Sequence, residues 1–374
     1  MTVFPFGGEK MRIMKQLQFL AFCLMMASSA FTFGVSGTLL FKDQRLYEQP
    51  SEESENVLQL PVDTVFDNEG NLYVLDASAK CIFVWNKQGK LAATLGREGE
   101  GPGEFIFRVA ARSKIAYNGK QIIVLDGPAK KIHYFENMKF LKTEIVSNHL
   151  GRLPFFKALK NGSFLLWEQE YRDKVPFSLV YLTDKDFATK TILLEFEDTM
   201  FKRNAKKGWN YDPTSSRPVV FADYHSDHII VGDSNVSMVR IFDLEGTLKR
   251  EIAVTLIPQL VAQKDKDNIN GRLKWIKPPH KAVWQEYKRL YDIAVPLLKN
   301  HTLIARYSPY EGLYDGIVYN GEGKPVGEYQ GYFGEYGGFT VQKTGVLLFH
   351  NDENGDFSIK LAKPILKEKS QSQE

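Results

Sequence analysis

The sequence predicts an all-β fold, a six-bladed β-propeller with a short helical insertion between blades four and five. Three observations support this prediction: residues 60–105 contain four short apolar runs, turn sequences separate these runs, and the pattern recurs with a period of roughly 45 residues. Residues 67–71 (DNEGN) and 86–90 (NKQGK) are polar, glycine-containing turns of the kind that join antiparallel strands. Four such strands make one blade, and a blade buries its two faces only against neighbouring blades.

Five further units follow the first. Its second strand, LYVLD (72–76), is matched by IIVLD (122–126) and, more distantly, by IIVGD (229–233). The predicted blades two to six cover residues 109–146, 154–196, 219–256, 293–330 and 338–362. Because the last unit has only three clear strands, we expect a segment near the N-terminus, residues 37–42 or 57–60, to supply the fourth strand and close the ring.

The chain begins with a segment typical of exported proteins. Residues 11–15 (MRIMK) are basic, an apolar stretch continues to Met26, and small residues follow. This order predicts a signal peptide over residues 1–30, with Met11 as a candidate start, and therefore a periplasmic or extracellular protein. An uncleaved membrane anchor and a lipid-modified Cys23 are the alternatives.

The remaining organisation follows from breaks in the repeat. We expect an N-terminal segment over 31–59, the propeller over 60–364, insertions at 197–218 and 257–292, and a disordered polar tail over 365–374. Within the second insertion, apolar residues spaced three to four apart predict a helix over 281–291 (KAVWQEYKRLY).

The composition limits the classes of partner. Lys and Arg total 48 against 45 Asp and Glu, a formal net charge of +3, so no general affinity for nucleic acid or an anionic membrane is expected. No apolar run beyond the signal peptide is long enough to span a membrane. Removal of the signal peptide would leave Cys81 as a single thiol, and we expect a monomer without disulfides.

Residues 66–90 (FDNEGNLYVLDASAKCIFVWNKQGK) and the connector 95–105 (LGREGEGPGEF) resemble the NHL-like six-bladed β-propellers, especially exported bacterial members. The resemblance is good over 60–147 and fair over 219–256. It implies the architecture and leaves the activity open, because these families include binding scaffolds and a few lyases and hydrolases.

The two insertions are expected on one face of the propeller. Successive strands alternate in direction, so the connections between blades open on the same face as the central hairpin of each blade. We call this face the insertion face. Long loops of a compact domain commonly carry function, which makes the insertion face the best place for a binding site.

Basic and aromatic residues are combined in both insertions. The candidate ligand-binding residues are Arg203, Lys206, Trp209, Tyr211, Trp275, Lys277 and Trp284. Their cations would bind the carboxylate or sulfate of an anionic glycan, and their rings would stack on its apolar faces. A small anionic ligand or an envelope protein would fit the same chemistry. The alternative is that the charges solvate exposed loops while the rings pack the insertions onto the blades.

Two sets of residues are candidates for a metal site. One is the cluster Asp223, His225 and His228, whose side chains suit Zn²⁺ or a similar ion. The other is the aspartate that ends the second strand of three blades, Asp76, Asp126 and Asp233, which could hold Ca²⁺. For both sets the alternative is ordinary turn chemistry, in which the carboxylate accepts backbone N–H bonds.

No catalytic signature stands out in the sequence. We therefore predict an exported, non-catalytic binding protein that recognises a ligand, glycan or protein partner on the insertion face. A metal-dependent hydrolase or lyase with a divalent ion in the central channel is one alternative, and a structural protein of an envelope complex is another.

Overall fold

The structure is a computed structural model, and antiparallel strands make up most of it. It describes residues 37–47, 58–107, 112–146, 150, 153–173, 175–203, 209–273, 280–297, 300–308, 313–331, 341–342, 345–351 and 357–368. The predicted signal peptide lies outside the described residues. No helix among these residues has the length and apolar character needed to cross a membrane.

The strands group into six blades. The first strand, β1 (Gly37–Leu46), precedes blade one, which comprises β2 (Pro61–Phe66), β3 (Leu72–Asp76), β4 (Cys81–Trp85) and β5 (Leu91–Leu95). Blade two comprises β6 (Ser113–Tyr117), β7 (Ile122–Asp126), β8 (Lys131–Glu136) and β9 (Lys139–Ile145). Blade three comprises β10 (Phe155–Ala158), β11 (Phe164–Arg172), β12 (Val175–Thr183) and β13 (Thr191–Glu197).

The second half of the chain continues the pattern after a short pair of strands, β14 (Phe201–Arg203) and β15 (Trp209–Tyr211). Blade four comprises β16 (Pro218–Phe221), β17 (Ile229–Asp233), β18 (Met238–Phe242) and β19 (Leu248–Ala253). Helix α1 (Gln263–Leu273) and strand β20 (His280–Ala282) follow. Blade five comprises β21 (Ile293–Leu297), β22 (His301–Ser308), β23 (Leu313–Tyr319) and β24 (Pro325–Gly331). The last strands are β25 (Val341–Gln342), β26 (Gly345–Asn351) and β27 (Phe357–Glu368).

The core lies between adjacent blades. Strands β3 and β7 are buried at every position, because each lies in the middle of a blade with a neighbouring blade on either side. One apolar cluster joins blades one and two through side chains that include Leu75, Ile82, Phe105 and Val124. Burial on both faces explains why these strands read as continuous apolar runs, without the alternation of a half-exposed sheet.

The N-terminal strand belongs to the last blade. β1 pairs antiparallel with β27 from Gly37 opposite Glu368 to Leu46 opposite Lys360, which gives blade six the order β25-β26-β27-β1. A parallel contact between Thr38 and Glu328 links β1 to blade five. Because β27 runs to Glu368, the propeller extends past residue 364, where the sequence analysis placed its end.

The helical insertion between blades four and five is present, but the predicted position over 281–291 is wrong. The helix is α1, Gln263–Leu273, whose sequence QKDKDNINGRL has too few apolar residues for periodicity to reveal it. Its first turn contains Asp265, which accepts a hydrogen bond from the Ala262 N–H at 2.7 Å. At the predicted position, residues 280–282 form β20, because tertiary pairing with another strand overrides the local helical pattern.

On the face opposite the insertions, the first hairpin of blade four reaches across to blades one and two. His225 Nε2 lies 3.0 Å from the Phe66 carbonyl oxygen at the end of β2. The Tyr224 ring contacts the Tyr117 ring edge-on at 5.0 Å between centroids. It also covers Gly119, where an added Cβ would overlap it. We call the first strand of each blade its inner strand. The hairpin 222–228 therefore crosses one end of the space that the inner strands enclose.

Candidate functional site

The two insertions fold against each other. Strand β15 of the first insertion pairs in parallel with β20 of the second, with Trp209, Asn210 and Tyr211 opposite His280, Lys281 and Ala282. Together with β14 they form a three-stranded sheet outside the blades. The two insertions, which were expected to share one face, are therefore joined to each other by a common sheet.

Hydrogen bonds continue this contact toward the blades. The Gln285 N–H donates to Thr214 Oγ1 at 3.1 Å, and Arg289 Nη1 donates to the Pro213 carbonyl oxygen at 2.6 Å. The Leu290 N–H donates to the Ser234 carbonyl oxygen in the central hairpin of blade four at 2.8 Å. These bonds fix both insertions above the beginnings of β16 and β21.

A cavity of about 270 Å³ lies between the insertions and blades four and five. We call it the insertion pocket. Its charged lining consists of Arg217, Asp265, Lys288, Arg289, Asp292 and Arg306, and its aromatic lining of Tyr211, Trp284 and Tyr307. The lining thus contains four cations and two carboxylates.

Ion pairs neutralise three of the four cations. Lys288 lies 3.1 Å from Asp265, and Arg289 lies 2.9 Å from Asp292. Arg306, which is 4% exposed, lies 3.0 Å from Asp315 of β23. The Asp292 carboxylate is further held by the Tyr307 N–H at 2.9 Å.

The fourth cation, Arg217, stands apart. It is half-buried, and no carboxylate of the described residues lies within ion-pair distance of it. Its side chain makes a long contact of 3.4 Å from Nη2 to the Tyr211 hydroxyl, and its buried Nε has no hydrogen-bond partner within the described part of the chain. Burial lowers the pKa of the Arg217 guanidinium and the nearby Arg289 cation lowers it further, while the Tyr211 hydroxyl and the Asp292 charge, which lies beyond ion-pair distance, counteract part of this shift. A ligand anion in the pocket would relieve both effects.

The structure brings together two of the predicted ligand-binding residues, Tyr211 and Trp284, in the wall of the insertion pocket. Arg203 and Trp209 are backbone register partners in the pairing of β14 with β15. Lys206, Trp275 and Lys277 lie outside the described residues.

The charged lining of the pocket was not found by sequence reasoning. Arg217 directly precedes β16 and Asp292 directly precedes β21, the inner strands of blades four and five. Their position in the sequence could have identified them as candidates, because a residue directly before an inner strand lies at the mouth of the ring.

The cluster of Asp223, His225 and His228 is not assembled as a metal site. The Asp223 carboxylate accepts hydrogen bonds from the His225 N–H and the Ser226 hydroxyl, both at 2.9 Å, while His228 is exposed. Across the described ranges, no three His, Cys, Asp or Glu side chains gather closely enough to hold a metal ion. The cluster is the polar turn that crosses to blades one and two.

The repeated aspartates close turns and hold the connections between blades. Asp76 accepts bonds from the Ser78 and Ala79 N–H groups and from the Leu60 N–H of the incoming chain. Asp126 Oδ2 accepts bonds from the Ile106 and Phe107 N–H groups of the incoming chain, while its Oδ1 has no hydrogen-bond partner among the described residues. Asp76 and Asp233, which accepts the Asn235 N–H at 3.0 Å, therefore follow the turn interpretation, whereas Asp126 holds the connection between blades one and two.

A second cavity, of about 370 Å³, lies between the inner strands. We call it the axial cavity. Its walls come from β2, β6, β10, β16 and β21, and its charged lining consists of Asp63, Lys114, Lys157, Asp223 and Asp292. Lys157 Nζ lies 2.6 Å from Asp63 and also donates to the carbonyl oxygens of Thr64 and Ile115.

Comparison of sequences supports the architecture. Residues 52–204 match the model of the DUF5128 family, which is described as a 6-bladed beta-propeller. A search of curated protein sequences found no match to the chain. The six-bladed part of the resemblance noted above is thus supported, while the NHL-like assignment and export stay predictions.

Two solved structures resemble the whole propeller. One is a protein from Bacteroides fragilis NCTC 9343 that is predicted to be exported, 15% identical, with a TM-score of 0.53 over 89% of this chain and 96% of that chain. The other is a DUF4221 family member from Bacteroides vulgatus ATCC 8482, 12% identical, with a TM-score of 0.52 over 89% of this chain and 99% of that chain. Likeness at such identities concerns the fold alone. The chain is an all-β, six-bladed β-propeller.

Proposed function

We propose that this protein is an exported, non-catalytic binding protein and that it takes a carboxylated or sulfated ligand in the insertion pocket. The observation that carries this proposal is the Arg217 guanidinium, which lines the pocket without a carboxylate of the described residues in ion-pair distance. A half-buried cation with no carboxylate in ion-pair distance costs free energy, and an anion bound directly beside it offsets that cost.

The charges favour a ligand with one anionic group at this position. Lys288, Arg289 and Arg306 already have carboxylate partners at 2.9–3.1 Å, so they add hydrogen-bond donors without a large surplus of charge. A carboxylate or sulfate ester suits the single unmatched guanidinium, because Arg can donate two parallel hydrogen bonds to such a group.

The rest of the pocket favours a ligand with a flat or ring-shaped body. Tyr211, Trp284 and Tyr307 line the same space as the arginines, and aromatic rings stack on the apolar faces of sugars and other rings. A volume of about 270 Å³ fits one sugar ring or a small organic acid. A uronic acid combines both features.

Export is supported by the sequence of the N-terminal segment and by the similar Bacteroides fragilis protein that is predicted to be exported. We do not propose the alternative of a divalent ion in the central channel. Among the described residues, no three His, Cys, Asp or Glu side chains come close enough together in this channel to hold such an ion.

Binding of glucuronate tests this proposal, with glucose as the neutral control of the same ring size. Titration calorimetry at constant ionic strength should detect glucuronate binding and no glucose binding. Replacement Arg217→Met should weaken glucuronate binding at least about tenfold, because a hydrogen bond to a charged group contributes on the order of 1.5–3 kcal/mol.

A matched control separates this site from a general effect of charge. Arg240→Met removes an exposed arginine of β18 that pairs with Glu251 at 3.0 Å, and it should leave glucuronate affinity unchanged. The proposal is wrong if glucuronate binds no better than glucose, or if Arg217→Met and Arg240→Met change the affinity equally.

A further inference from the structure

The insertion pocket and the axial cavity meet at the beginnings of two inner strands. Asp292 lines both spaces. Arg217 lines the pocket and the next residue, Pro218, lines the cavity. Along blade five, Asp292 is followed directly by Ile293 and Ala294 of β21, which line the cavity. The end of the cavity at the beginnings of β16 and β21 therefore lies next to the pocket.

The far end of the axial cavity is covered by the first hairpin of blade four. Asp223 of this hairpin lines the cavity, while His225 reaches the Phe66 carbonyl oxygen of blade one at 3.0 Å. Tyr224 packs against Tyr117 of blade two. A ligand thus has its entrance on the insertion face, through the pocket.

Two of the three carboxylates that line the axial cavity form ion pairs with nearby cations. Asp63 lies 2.6 Å from Lys157, and Asp292 lies 2.9 Å from Arg289. Burial raises the pKa of the Asp223 carboxyl, which favours its neutral form, although the nearby His225 opposes this shift. The carboxylates of the cavity therefore do not exclude a ligand anion.

Lys114 places a further ammonium group in the cavity wall. It is the second residue of β6 and is 9% exposed. Burial lowers the pKa of Lys114, an effect that the Asp63 charge counteracts and the Lys157 charge increases. An anionic group in the cavity would stabilise the charged form of this lysine.

We propose that the insertion pocket and the axial cavity form one continuous site for an elongated diacid, with its outer acid at Arg217 and its inner acid at Lys114. This inference rests on the proposed function and extends it from one anionic group to two. Arg217 directly precedes β16, whereas Lys114 is the second residue of β6. At about 3.3 Å per residue, this offset places Lys114 on the order of 7 Å further along the strand direction than Arg217, in addition to the separation across the ring between blades two and four.

Adipate and hexanoate distinguish the two halves of the site. The two acids have carbon chains of equal length. Hexanoate has a carboxylate at one end, whereas adipate has a carboxylate at each end. Wild-type protein should bind adipate at least about tenfold more tightly than hexanoate, because only adipate reaches a buried charged donor. Hexanoate binding that depends on Arg217 measures the outer pocket alone, so failure of the proposed function would appear as loss of both ligands.

Variants at Lys114 assign the preference to the cavity. Lys114→Met should abolish the preference for adipate and leave hexanoate affinity unchanged, whereas Lys114→Arg should keep the preference. Lys120→Met, at an exposed lysine of the same blade, is the matched control and should have no effect. Equal wild-type affinity for the two acids, or equal weakening of both by Lys114→Met, would overturn the inference.

A measurement on the unmodified protein covers the case in which the Lys114 variants do not fold. Trace labelling with acetic anhydride, read by mass spectrometry, should show that adipate slows acetylation of Lys114 and that hexanoate does not. Equal labelling of Lys114 with the two acids would also overturn the inference.

Discussion

Lys157 Nζ lies 2.6 Å from the Asp63 carboxylate, and this ion pair joins blade three to blade one. The same ammonium group donates to the carbonyl oxygens of Thr64 and Ile115, and Asp63 accepts a bond from the Ile115 N–H at 3.0 Å. The inner strands of blades one, two and three are therefore held by one polar network beside the axial cavity. Both charged side chains are nearly buried.

Removal of one partner of this pair should destabilise the propeller strongly. Lys157→Met should lower the free energy of unfolding by about 3–5 kcal/mol, because it leaves the Asp63 charge buried without its cation. The double variant Lys157→Met with Asp63→Asn should lose less than the sum of the single losses, by on the order of 1–3 kcal/mol. Urea denaturation of the four proteins measures this coupling, and strictly additive losses would refute it.

The crossing hairpin of blade four should make Gly119 intolerant of a side chain. Gly119 has a φ of +94°, and an added Cβ would overlap the Tyr224 ring. Gly162 has a similar φ of +86° with no atom within 4 Å of an added Cβ, so it is the matched control. Both alanine variants should lose about 1–3 kcal/mol from backbone strain, and Gly119→Ala should lose at least about 1 kcal/mol more. Equal melting temperatures of the two variants would contradict the contact.

His133 should make the protein less stable below neutral pH. The ring is fully buried in β8, with Nδ1 3.0 Å from the Thr143 hydroxyl, and burial lowers the pKa of His133 to about 4. In the unfolded chain this pKa is near 6.5. As the pH falls from about 6.5 toward 4, the unfolded state takes up a proton that the folded state does not, so the free energy of unfolding decreases.

The loss attributable to His133 between pH 7.5 and pH 5 should be on the order of 2 kcal/mol. His133→Leu should remove this part of the pH dependence, whatever its effect on stability at pH 7.5. Urea denaturation of both proteins at the two pH values provides the comparison. If the two proteins lose the same stability on acidification, His133 is not the group responsible.

Cys81 should be inert in the folded protein. Its thiol is buried in β4, and burial, aided by the nearby Asp76 charge, raises the pKa of Cys81 to about 12. The reactive thiolate is therefore scarce at neutral pH. A thiol reagent such as iodoacetamide should modify Cys81 only after denaturation, and rapid modification of the native protein would disprove this burial.

The sequence predicted the blades well because their signals are local. The buried second strands LYVLD (72–76) and IIVLD (122–126) lie where the sequence analysis placed them, and Asp76 closes the turn that follows the first of them. Apolar strand length and turn chemistry are readable within a few residues. The helix was misplaced for the converse reason: residues 280–282 pair with 209–211, a partner distant in the chain.

The candidate site was predictable only in part. The composition of the insertions indicated an anionic ligand and pointed to Tyr211 and Trp284. Arg217 and Arg306 escaped notice because their neighbourhood is created by the docking of two insertions on two blades. A surplus cation becomes visible only when the distance from each arginine to each carboxylate is known.

We expect Arg217 to bind an anion in the insertion pocket. Anomalous diffraction from crystals of the full chain grown with selenate locates such an anion directly, because selenium identifies it without ambiguity. We predict a selenium peak in the insertion pocket within hydrogen-bond distance of the Arg217 guanidinium, absent from crystals of Arg217→Met. A pocket that holds no selenate while selenate occupies other sites, or the same peak in the Arg217→Met protein, would show that Arg217 is not the anion-binding residue.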